Sequence, residues 1–538
     1  MLRAKTPAAR RPKKPLARSA GVLALAVASL AVTAPPAQAG LLGGLLGTVG
    51  GLVQTTVGVV STALDTTTGL IGGADWGYAP TTTTLGQAAD AVGADTMWAR
   101  GYTGKGVGVA LIDTGVVPVQ GLTSGNVVNG PDLSFDSQSP SPNLDAFGHG
   151  THMAGIIAGN DGTNSGFHGI APDATLLSVK VGASDGGVDV SQTIAAIDWV
   201  VQHRNDPDLN IRVLNLSFGT DGTQATTLDP LTHAVENAWR AGIVVVVSGG
   251  NGGTTRPSVD NPARDPYVVT VGADDIHATP ASSLDDTVPT FSTRGSSSRR
   301  VDVVAPGQSI ASLRDPGSYI DSEYPGAVVG SRYFKGSGTS QATAVVSGAA
   351  ALLLQQRPQL SPDDVKRLLT TTAQPLPSAD SAGRGAGLLN VAAAGLAPRP
   401  YAAQTAPRSS GLGTLEGARG TNHVGDNGVD LVGEQDIFGQ RWVPAVWAPA
   451  SSAGTAWIDG TWNSNDWTGG CWCGESWTTL TWSSRSWSSR SWSDIDWSSR
   501  SWSSRSWSSR SWSDGTWSSR SWSSRSWSGS TWSAAPGG

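Results

Sequence analysis

Apolar and polar residues follow two alternating patterns between residues 85 and 397. Short, nearly continuous runs of Val, Ile and Leu are typical of parallel strands that are buried on both faces. Between these runs, apolar residues recur at helical spacing, as they do from Val190 to Val201. The pattern predicts an α/β domain over residues 85–397, with a parallel sheet flanked by helices. The predicted strands are residues 107–112, 175–181, 211–216, 243–247, 267–271 and 301–304.

Further helices are predicted over residues 233–240 and 341–356, the second of them rich in small side chains. Ser361 followed by Pro362 has the pattern of a helix start. A serine side chain there accepts a bond from a first-turn amide, and proline is tolerated at the first helical position. The chain is therefore expected to alternate between strand and helix up to residue 397.

The first 39 residues contain seven Lys or Arg and no Asp or Glu. The apolar run from Ala20 to Ala34, followed by small residues at Ala37 and Ala39, completes the pattern of a signal peptide. We therefore predict a signal peptide over residues 1–39 and a secreted product. The alternative is an uncleaved membrane anchor, for which the 15-residue apolar run is short. Cleavage would change the formal charge from −6 to −13, the opposite sign to that of a typical nucleic-acid-binding protein.

Residues 40–84 are rich in Leu, Val and Gly, and we predict that they form a short propeptide or linker. The alternative is an amphipathic segment that docks on the α/β body or on a lipid surface. No apolar run in the chain reaches the roughly 20 residues that a transmembrane helix needs, so no transmembrane span is expected. Only two Cys are present, which excludes a disulfide-dense scaffold and a multi-cysteine zinc module.

The C-terminal part divides into a predicted linker, residues 398–439, and a Trp-rich repeat region, residues 440–538. A Trp occupies every fifth position from Trp457 to Trp532, 16 in all. The repeat is compatible with a self-stacking solenoid or a disordered tail. The alternative is an adhesive module that contacts cell-wall or glycan material through exposed indoles. From Trp457 onwards seven Arg oppose six acidic residues, too small an excess for a nucleic-acid groove.

Three polar clusters lie at the predicted strand and helix ends, where α/β sheets collect functional groups. They contain Asp113, His149 and Ser340. Each residue alone has an ordinary structural explanation, as a turn residue, a buried histidine and a helix cap. Together they are the types that acyl transfer needs, because a serine hydroxyl becomes nucleophilic only when an oriented imidazole takes its proton.

The same clusters belong to a longer set of motifs in which the chain resembles the subtilisin-like serine proteases, with Asp, His and Ser in that family's order. The resemblance implies the subtilisin-like fold and a protease of the secreted bacterial type. It implies that Asp113 orients His149, that His149 acts as base and then acid, and that Ser340 is the nucleophile. Asn251 would donate to the oxyanion together with the backbone N–H of Ser340. The matching segments are residues 109–115, 148–155, 215–219, 249–251, 303–307 and 338–340.

Substrate contacts follow from the same resemblance. The segment Ser217, Phe218 and Gly219 would pair with an extended peptide as an added strand. Ser248, Gly249 and Gly250 would form one wall of the first specificity pocket, where small residues leave room for a large apolar side chain. Asp145 is expected to be an exposed loop carboxylate, the alternative being contact with a basic substrate side chain.

Two residues depart from the family pattern: Gln341 stands where Met is usual, and Ala344 where Pro is usual. Neither departure removes a reacting group. The sequence therefore predicts a secreted serine endopeptidase acting on protein or peptide substrates, with retention at the cell surface through the repeat as a further expectation. The alternative function is a surface or cell-wall binding protein whose protease fold is incidental or silenced. No cofactor is required; family members often bind calcium as a structural ion, but the sequence assigns no metal ligands.

Overall fold

A computed structural model describes residues 82–466, apart from residues 138, 140, 164, 165, 257, 427, 428, 438, 439, 459 and 464. The predicted signal peptide and residues 40–81 lie outside the described residues. The Trp repeat beyond Asp466 lies outside them as well.

The centre of the described chain is a seven-stranded sheet in which every neighbouring pair is parallel. The strands are β1 (Gly108–Asp113), β2 (Val127–Asp132), β3 (Thr175–Lys180), β4 (Ile211–Leu216), β5 (Val244–Ser248), β6 (Val269–Asp274) and β7 (Val303–Pro306). Their order in the sheet is β2-β3-β1-β4-β5-β6-β7. All six predicted strands are present, with bounds that differ from the expected ones by at most three residues, which confirms the α/β prediction.

β2 is the strand that the sequence pattern does not predict. It lies at the edge of the sheet, and its middle residues are half-buried. It contains Gly130 and Pro131, and its register against β3 shifts after Asn129. An edge strand tolerates proline because one side of its backbone needs no ladder partner, so it lacks the apolar run that marks the central strands.

Helices pack against this sheet in two groups. Helix α3 (His149–Ala158) packs against α7 (Thr339–Gln356), and α4 (Val190–His203) packs against α5 (Pro230–Arg240). Helix α7 is buried along nearly its whole length, and its small residues allow close approach to the strands beneath it. The helices are α1 (Leu85–Val92), α2 (Ala94–Ala99), α3 (His149–Ala158), α4 (Val190–His203), α5 (Pro230–Arg240), α6 (Tyr319–Glu323), α7 (Thr339–Gln356), α8 (Pro362–Thr371), α9 (Val391–Leu396), α10 (Leu415–Arg419) and α11 (Pro444–Ala453).

Smaller antiparallel sheets complete the described part. The largest two have three strands each, in the orders β8-β10-β9 (residues 310–313, 333–336 and 328–329) and β13-β14-β15 (residues 457–458, 461–462 and 465–466). Outside the gaps named above, no helix between residues 82 and 466 is long and apolar enough to cross a membrane. The strands are β8 (Ile310–Leu313), β9 (Val328–Val329), β10 (Tyr333–Gly336), β11 (Gly425–Asp426), β12 (Val429–Asp430), β13 (Trp457–Ile458), β14 (Thr461–Trp462) and β15 (Asn465–Asp466).

Residues 398–466, which we call the C-terminal clasp, pack on the α/β body. The segment 398–439, expected to be a linker, buries Arg419 completely against Asp189 of the α4 N-terminus. Trp457 and Trp462, the first two members of the repeat, are also buried. The sequence shows little periodicity here because these residues gain their burial from irregular contacts with α4 and α5 rather than from a core of their own.

Candidate active site

Asp113 is the last residue of β1 and lies at the carboxyl end of the sheet. Its side chain is 1% exposed, and Oδ1 accepts the backbone N–H of Thr114 at 2.8 Å. Nδ1 of His149 lies 2.7 Å from the same oxygen. A buried carboxylate at this distance fixes the orientation of the imidazole and favours the tautomer that carries its proton on Nδ1.

Glycine allows the start of α3 to reach the end of β1. A Cβ atom on Gly150 would lie 2.1 Å from the carbonyl oxygen of Gly115, and Gly115 itself has a φ of +103°. A larger residue at position 150 would push the helix away from the strand. The two glycines thus explain how the Asp113 and His149 side chains meet across 36 residues of sequence.

Asp145 holds the first turn of α3 in place. Its carboxylate accepts backbone N–H groups from Gly148 at 2.6 Å and Thr151 at 2.8 Å, and the hydroxyl of Thr114 at 2.8 Å. It is 3% exposed, so the expectation of an exposed loop carboxylate is wrong. The usual capping preference applies to the N-cap, which is Gly148 here, so it does not mark position 145 in the sequence.

His152 lies on α3 one turn after His149 and is 1% exposed. Its Nε2 lies 3.1 Å from the carbonyl oxygen of Phe334. Burial, and next the charge of His149, lower the pKa of His152 to about 3. It therefore stays neutral and ties α3 to β10.

Ser340 is the second residue of α7 and is fully buried beneath the surface of the site. Its helix packs against α3, the helix that begins with His149. The hydroxyl of Ser217 donates to the carbonyl oxygen of Ser340 at 3.4 Å. The structure thus brings the three predicted catalytic residues to the carboxyl end of one sheet.

The carboxamide of Asn251 is oriented by Thr339. Its Oδ1 accepts the backbone N–H of Thr339 at 2.9 Å and the Thr339 hydroxyl at 3.0 Å. These two bonds turn Nδ2 the other way, and Nδ2 has no hydrogen-bond partner among the described residues. A Cβ on Gly338 would lie 3.3 Å from Nδ2 and 3.7 Å from the backbone N of Ser340. The two nitrogen atoms therefore lie near one point beside the serine.

The predicted substrate-binding segments lie at the ends of β4 and β5. The pairing of β4 with its neighbours ends at Leu216, so Ser217, Phe218 and Gly219 continue beyond the ladder. Ser248 ends β5, and the following backbone is tied to β6 because Gly249 N–H donates to the Val271 carbonyl at 2.8 Å.

Asp260 stands behind the wall that Ser248, Gly249 and Gly250 are predicted to form. A Cβ on Gly250 would lie 2.3 Å from Oδ2 of Asp260. Arg256 forms an ion pair with this carboxylate at 3.3 Å. Sequence reasoning missed this carboxylate, because nothing local connects position 260 with position 250.

A second missed element is the segment around α6. The N–H groups of Tyr319 and Ile320 donate to the carbonyls of Ala146 at 3.0 Å and Phe147 at 3.1 Å. The rings of Phe147 and Tyr319 stack with centroids 5.5 Å apart. This segment forms a wall beside the residues that precede His149, and no periodic signal in the sequence marks it.

Among the residues that the structure describes, no three or more His, Cys, Asp or Glu side chains come together as a metal site would require.

Comparison with known proteins agrees with this geometry. The family model described as the subtilase family matches residues 104–410. The chain is 42% identical over 295 residues to "Serine protease AprX" of Bacillus subtilis (strain 168), covering 54% of this chain and 66% of that relative. It is 37% identical over 303 residues to "Subtilisin DY" of Bacillus licheniformis, covering 56% of this chain and 95% of that relative.

One solved structure, fervidolysin from Fervidobacterium pennivorans, a keratinolytic enzyme related to subtilisin, is 29% identical with a TM-score of 0.47. That match covers 58% of this chain and 46% of the other. On the strength of the family match, the chain belongs to the subtilase family and is a subtilisin-like serine protease.

Proposed function

We propose that this protein is a secreted serine endopeptidase that hydrolyses peptide bonds through an acyl-enzyme, with Asp113, His149 and Ser340 as its catalytic residues. The observation that carries the proposal is the 2.7 Å contact between the buried side chains of Asp113 and His149. His149 lies on a helix that packs against the helix of Ser340. Acyl transfer by serine needs this combination of an oriented base and a hydroxyl.

In this reaction Oγ of Ser340 attacks the scissile carbonyl carbon while Nε2 of His149 takes the hydroxyl proton. The carbonyl oxygen becomes an oxyanion. When the tetrahedral intermediate collapses, the C–N bond breaks and His149 gives the proton to the leaving amine. Water then attacks the acyl-enzyme by the same steps. Asp113 accepts from Nδ1 throughout and stabilises the imidazolium.

The oxyanion would be bound by Nδ2 of Asn251 and the backbone N–H of Ser340. The support is that Thr339 holds the other side of the Asn251 amide, so the donor is oriented before substrate arrives. Loss of the corresponding donor in subtilisin, a member of the same family, costs about 10²–10³ in kcat, and we expect that range for Asn251→Ala.

Substrate would pair as an extended strand with Ser217, Phe218 and Gly219, and the P1 side chain would meet the wall of Ser248, Gly249 and Gly250. Small residues in that wall support an apolar P1 preference. No cofactor takes part in the proposed reaction.

A fluorophosphonate probe tests the proposal, because it forms a covalent bond only with an activated serine. We expect a single label on Ser340, loss of labelling in Ser340→Ala, and strongly slowed labelling in His149→Ala. Binding of the protein to cell walls without any labelling would instead support the alternative, a surface-binding protein with a silenced protease fold.

We also propose export through residues 1–39 and retention at the cell surface through the Trp repeat. The repeat supports retention because many aromatic side chains on one chain bind polymers by avidity. Since Trp457 and Trp462 are buried in the clasp, a deletion that tests retention must begin after Asp466. We expect removal of residues 467–538 to lower retention on cell-wall material while peptide hydrolysis continues; equal retention would contradict the proposal.

A further inference from the structure

Gln341 follows the nucleophile and is one of the two departures from the family pattern. Its side chain is completely buried, at the start of α7. Neither Oε1 nor Nε2 has a hydrogen-bond partner among the described residues. A buried carboxamide with no partner costs free energy, so its presence beside the reacting serine calls for a partner that arrives with the substrate.

The position of the amide indicates what that partner is. A Cβ on Gly338 would lie 2.8 Å from Oε1 of Gln341 and 3.3 Å from Nδ2 of Asn251. The same point is 3.7 Å from the backbone N of Ser340. The Gln341 amide therefore lies beside the same point of Gly338 as the two expected oxyanion donors.

The two carboxamides differ in how they are held. Thr339 fixes Asn251 through two bonds to Oδ1, so its Nδ2 is held in one orientation. No described residue fixes Gln341 in this way. A half-turn about its last side-chain torsion exchanges Oε1 and Nε2 at little cost, because that torsion is broad and roughly two-fold. Gln341 can thus present its N–H₂ group to the site when a negative charge develops there.

We propose that Gln341 is a second side-chain donor to the oxyanion, acting from Nε2 beside Asn251 and the backbone of Ser340. This rests on the proposed serine protease function. The interaction strengthens as the carbonyl oxygen gains charge, so it stabilises the transition state more than the bound substrate. Its loss should therefore lower kcat rather than raise KM.

A space-filling role explains the residue less well. Met or Leu would occupy a similar volume at this position without burying two unpaired polar atoms. Gln341→Met should accordingly be no less stable than the wild type in thermal unfolding. If the role were purely structural, the same substitution would leave catalysis unchanged.

The test compares Gln341→Met, which removes the donor, and Gln341→Glu, which replaces N–H₂ by a second carboxylate oxygen. Hydrolysis of a small chromogenic peptide is measured with active sites counted by fluorophosphonate titration, so that misfolded protein does not enter kcat. We expect Gln341→Met to lower kcat by about tenfold with KM unchanged, and Gln341→Glu to lower it further.

A peptide boronic acid gives a second readout, because it forms a tetrahedral adduct with Ser340. Its affinity should fall in Gln341→Met by the same factor as kcat, while the affinity for a non-reacting peptide of the same sequence stays constant. Gln356→Met is the matched control, since Gln356 lies at the far end of α7 and its Oε1 is likewise unpaired among the described residues. It should leave both measurements unchanged.

The inference is overturned if Gln341→Met equals or exceeds the wild type in kcat and in boronate affinity. It is overturned equally if Gln341→Glu matches the wild type. Failure of the proposed function looks different: the wild-type protein would then neither hydrolyse the peptide nor bind the probe at Ser340.

Discussion

Two regions of this protein bury polar side chains, and the regions differ in whether those side chains are hydrogen-bonded within the protein. At the active site, Nδ2 of Asn251 and both polar atoms of Gln341 make no hydrogen bond to the described residues. On the face of α4 and α5 under the C-terminal clasp, Asp198 accepts three donors from the clasp. At the active site the unpaired groups remain available to a ligand, whereas the three bonds of Asp198 hold the clasp on the fold.

The contacts of Asp198 show how the clasp is held. Its carboxylate accepts the indole N–H of Trp447 at 2.8 Å and of Trp462 at 2.9 Å, and the hydroxyl of Ser451 at 2.6 Å. The indole N–H of Trp457 donates to the Ala195 carbonyl on the same helix at 2.9 Å. The first two members of the Trp repeat are thus anchors on α4.

Two further contacts, one to the N-terminus of α4 and one to α5, also hold the clasp on the α/β body. Arg419 and Asp189 form a fully buried ion pair at 2.6 Å, and Arg419 also donates to carbonyls within the clasp. Glu236 of α5 accepts the backbone N–H of Ser409 at 2.9 Å. Because the family match ends at residue 410, most of the clasp lies outside the part that this chain shares with its family.

The largest expected effect comes from removing the clasp beyond the family match. A chain that ends at Ser410 loses Trp442, Trp447, Trp457 and Trp462, all of them buried. At about 1.5–3 kcal/mol for each large side chain, we expect the free energy of unfolding to fall by about 6 kcal/mol or more. Urea unfolding followed by fluorescence or circular dichroism measures the change.

A chain that ends at Asp466 is the control, because it keeps all four indoles. We expect its unfolding midpoint to equal that of the full-length protein. If the chain ending at Ser410 unfolded at the same urea concentration as this control, residues 411–466 would contribute nothing to stability. The contrast between the two regions would then fail.

The next effect concerns a single side chain. Asp198→Ala leaves two indole N–H groups and one hydroxyl without their acceptor in a buried site, and we expect a loss of about 4 kcal/mol. Asp206→Ala, which removes a half-exposed carboxylate just beyond the same helix, should cost much less. Fluorophosphonate labelling of Ser340 should persist in Asp198→Ala at temperatures where the variant is folded. Equal losses of stability in the two variants would show that the Asp198 contacts contribute little.

The two regions also differ in how far their sequence predicts them. The central strands and α7 were predictable because buried parallel strands and a long helix carry strong local signals. Asp113, His149 and Ser340 were found because each follows or begins such an element. Gln341, by contrast, was noticed only as a departure from the family pattern. That its side chain has no hydrogen-bond partner is visible only in the structure.

The structure of the clasp could not be predicted from local sequence patterns. Asp198 occupies a helical position that an exposed carboxylate would fill equally well, and its three donors lie about 250 residues later in the chain. The pentapeptide period describes the repeat as a whole, yet its first two members are buried on α4 by contacts that the period does not encode. Edge strand β2 and the α6 wall are similar cases, because their neighbours rather than their own patterns decide their structure.

The smallest expected effect is a pH dependence of the free energy of unfolding. It shows whether the protonated or the ionised form of Asp198 stabilises the fold. Burial raises the pKa of Asp198 to about 6, against the opposing effect of its hydrogen bonds to Ser451, Trp462 and Trp447. A carboxyl whose pKa is raised on folding contributes stability that is fully present below its unfolded value and is lost as the pH rises through about 6. A difference of about two pKa units corresponds to about 2–3 kcal/mol across this window.

Urea unfolding of the wild type and Asp198→Ala at pH 4.5 and pH 8 measures this contribution. Because the wild type loses the contribution of the protonated carboxyl as the pH rises, the stability difference between the two proteins should be larger at pH 4.5. A larger difference at pH 8 would mean that the ionised carboxylate is the stabilising form, with its three donors outweighing burial. In that case an ionised, buried carboxylate would hold the clasp, just as the carboxylate of Asp113 orients His149. The two regions would then use the same kind of interaction.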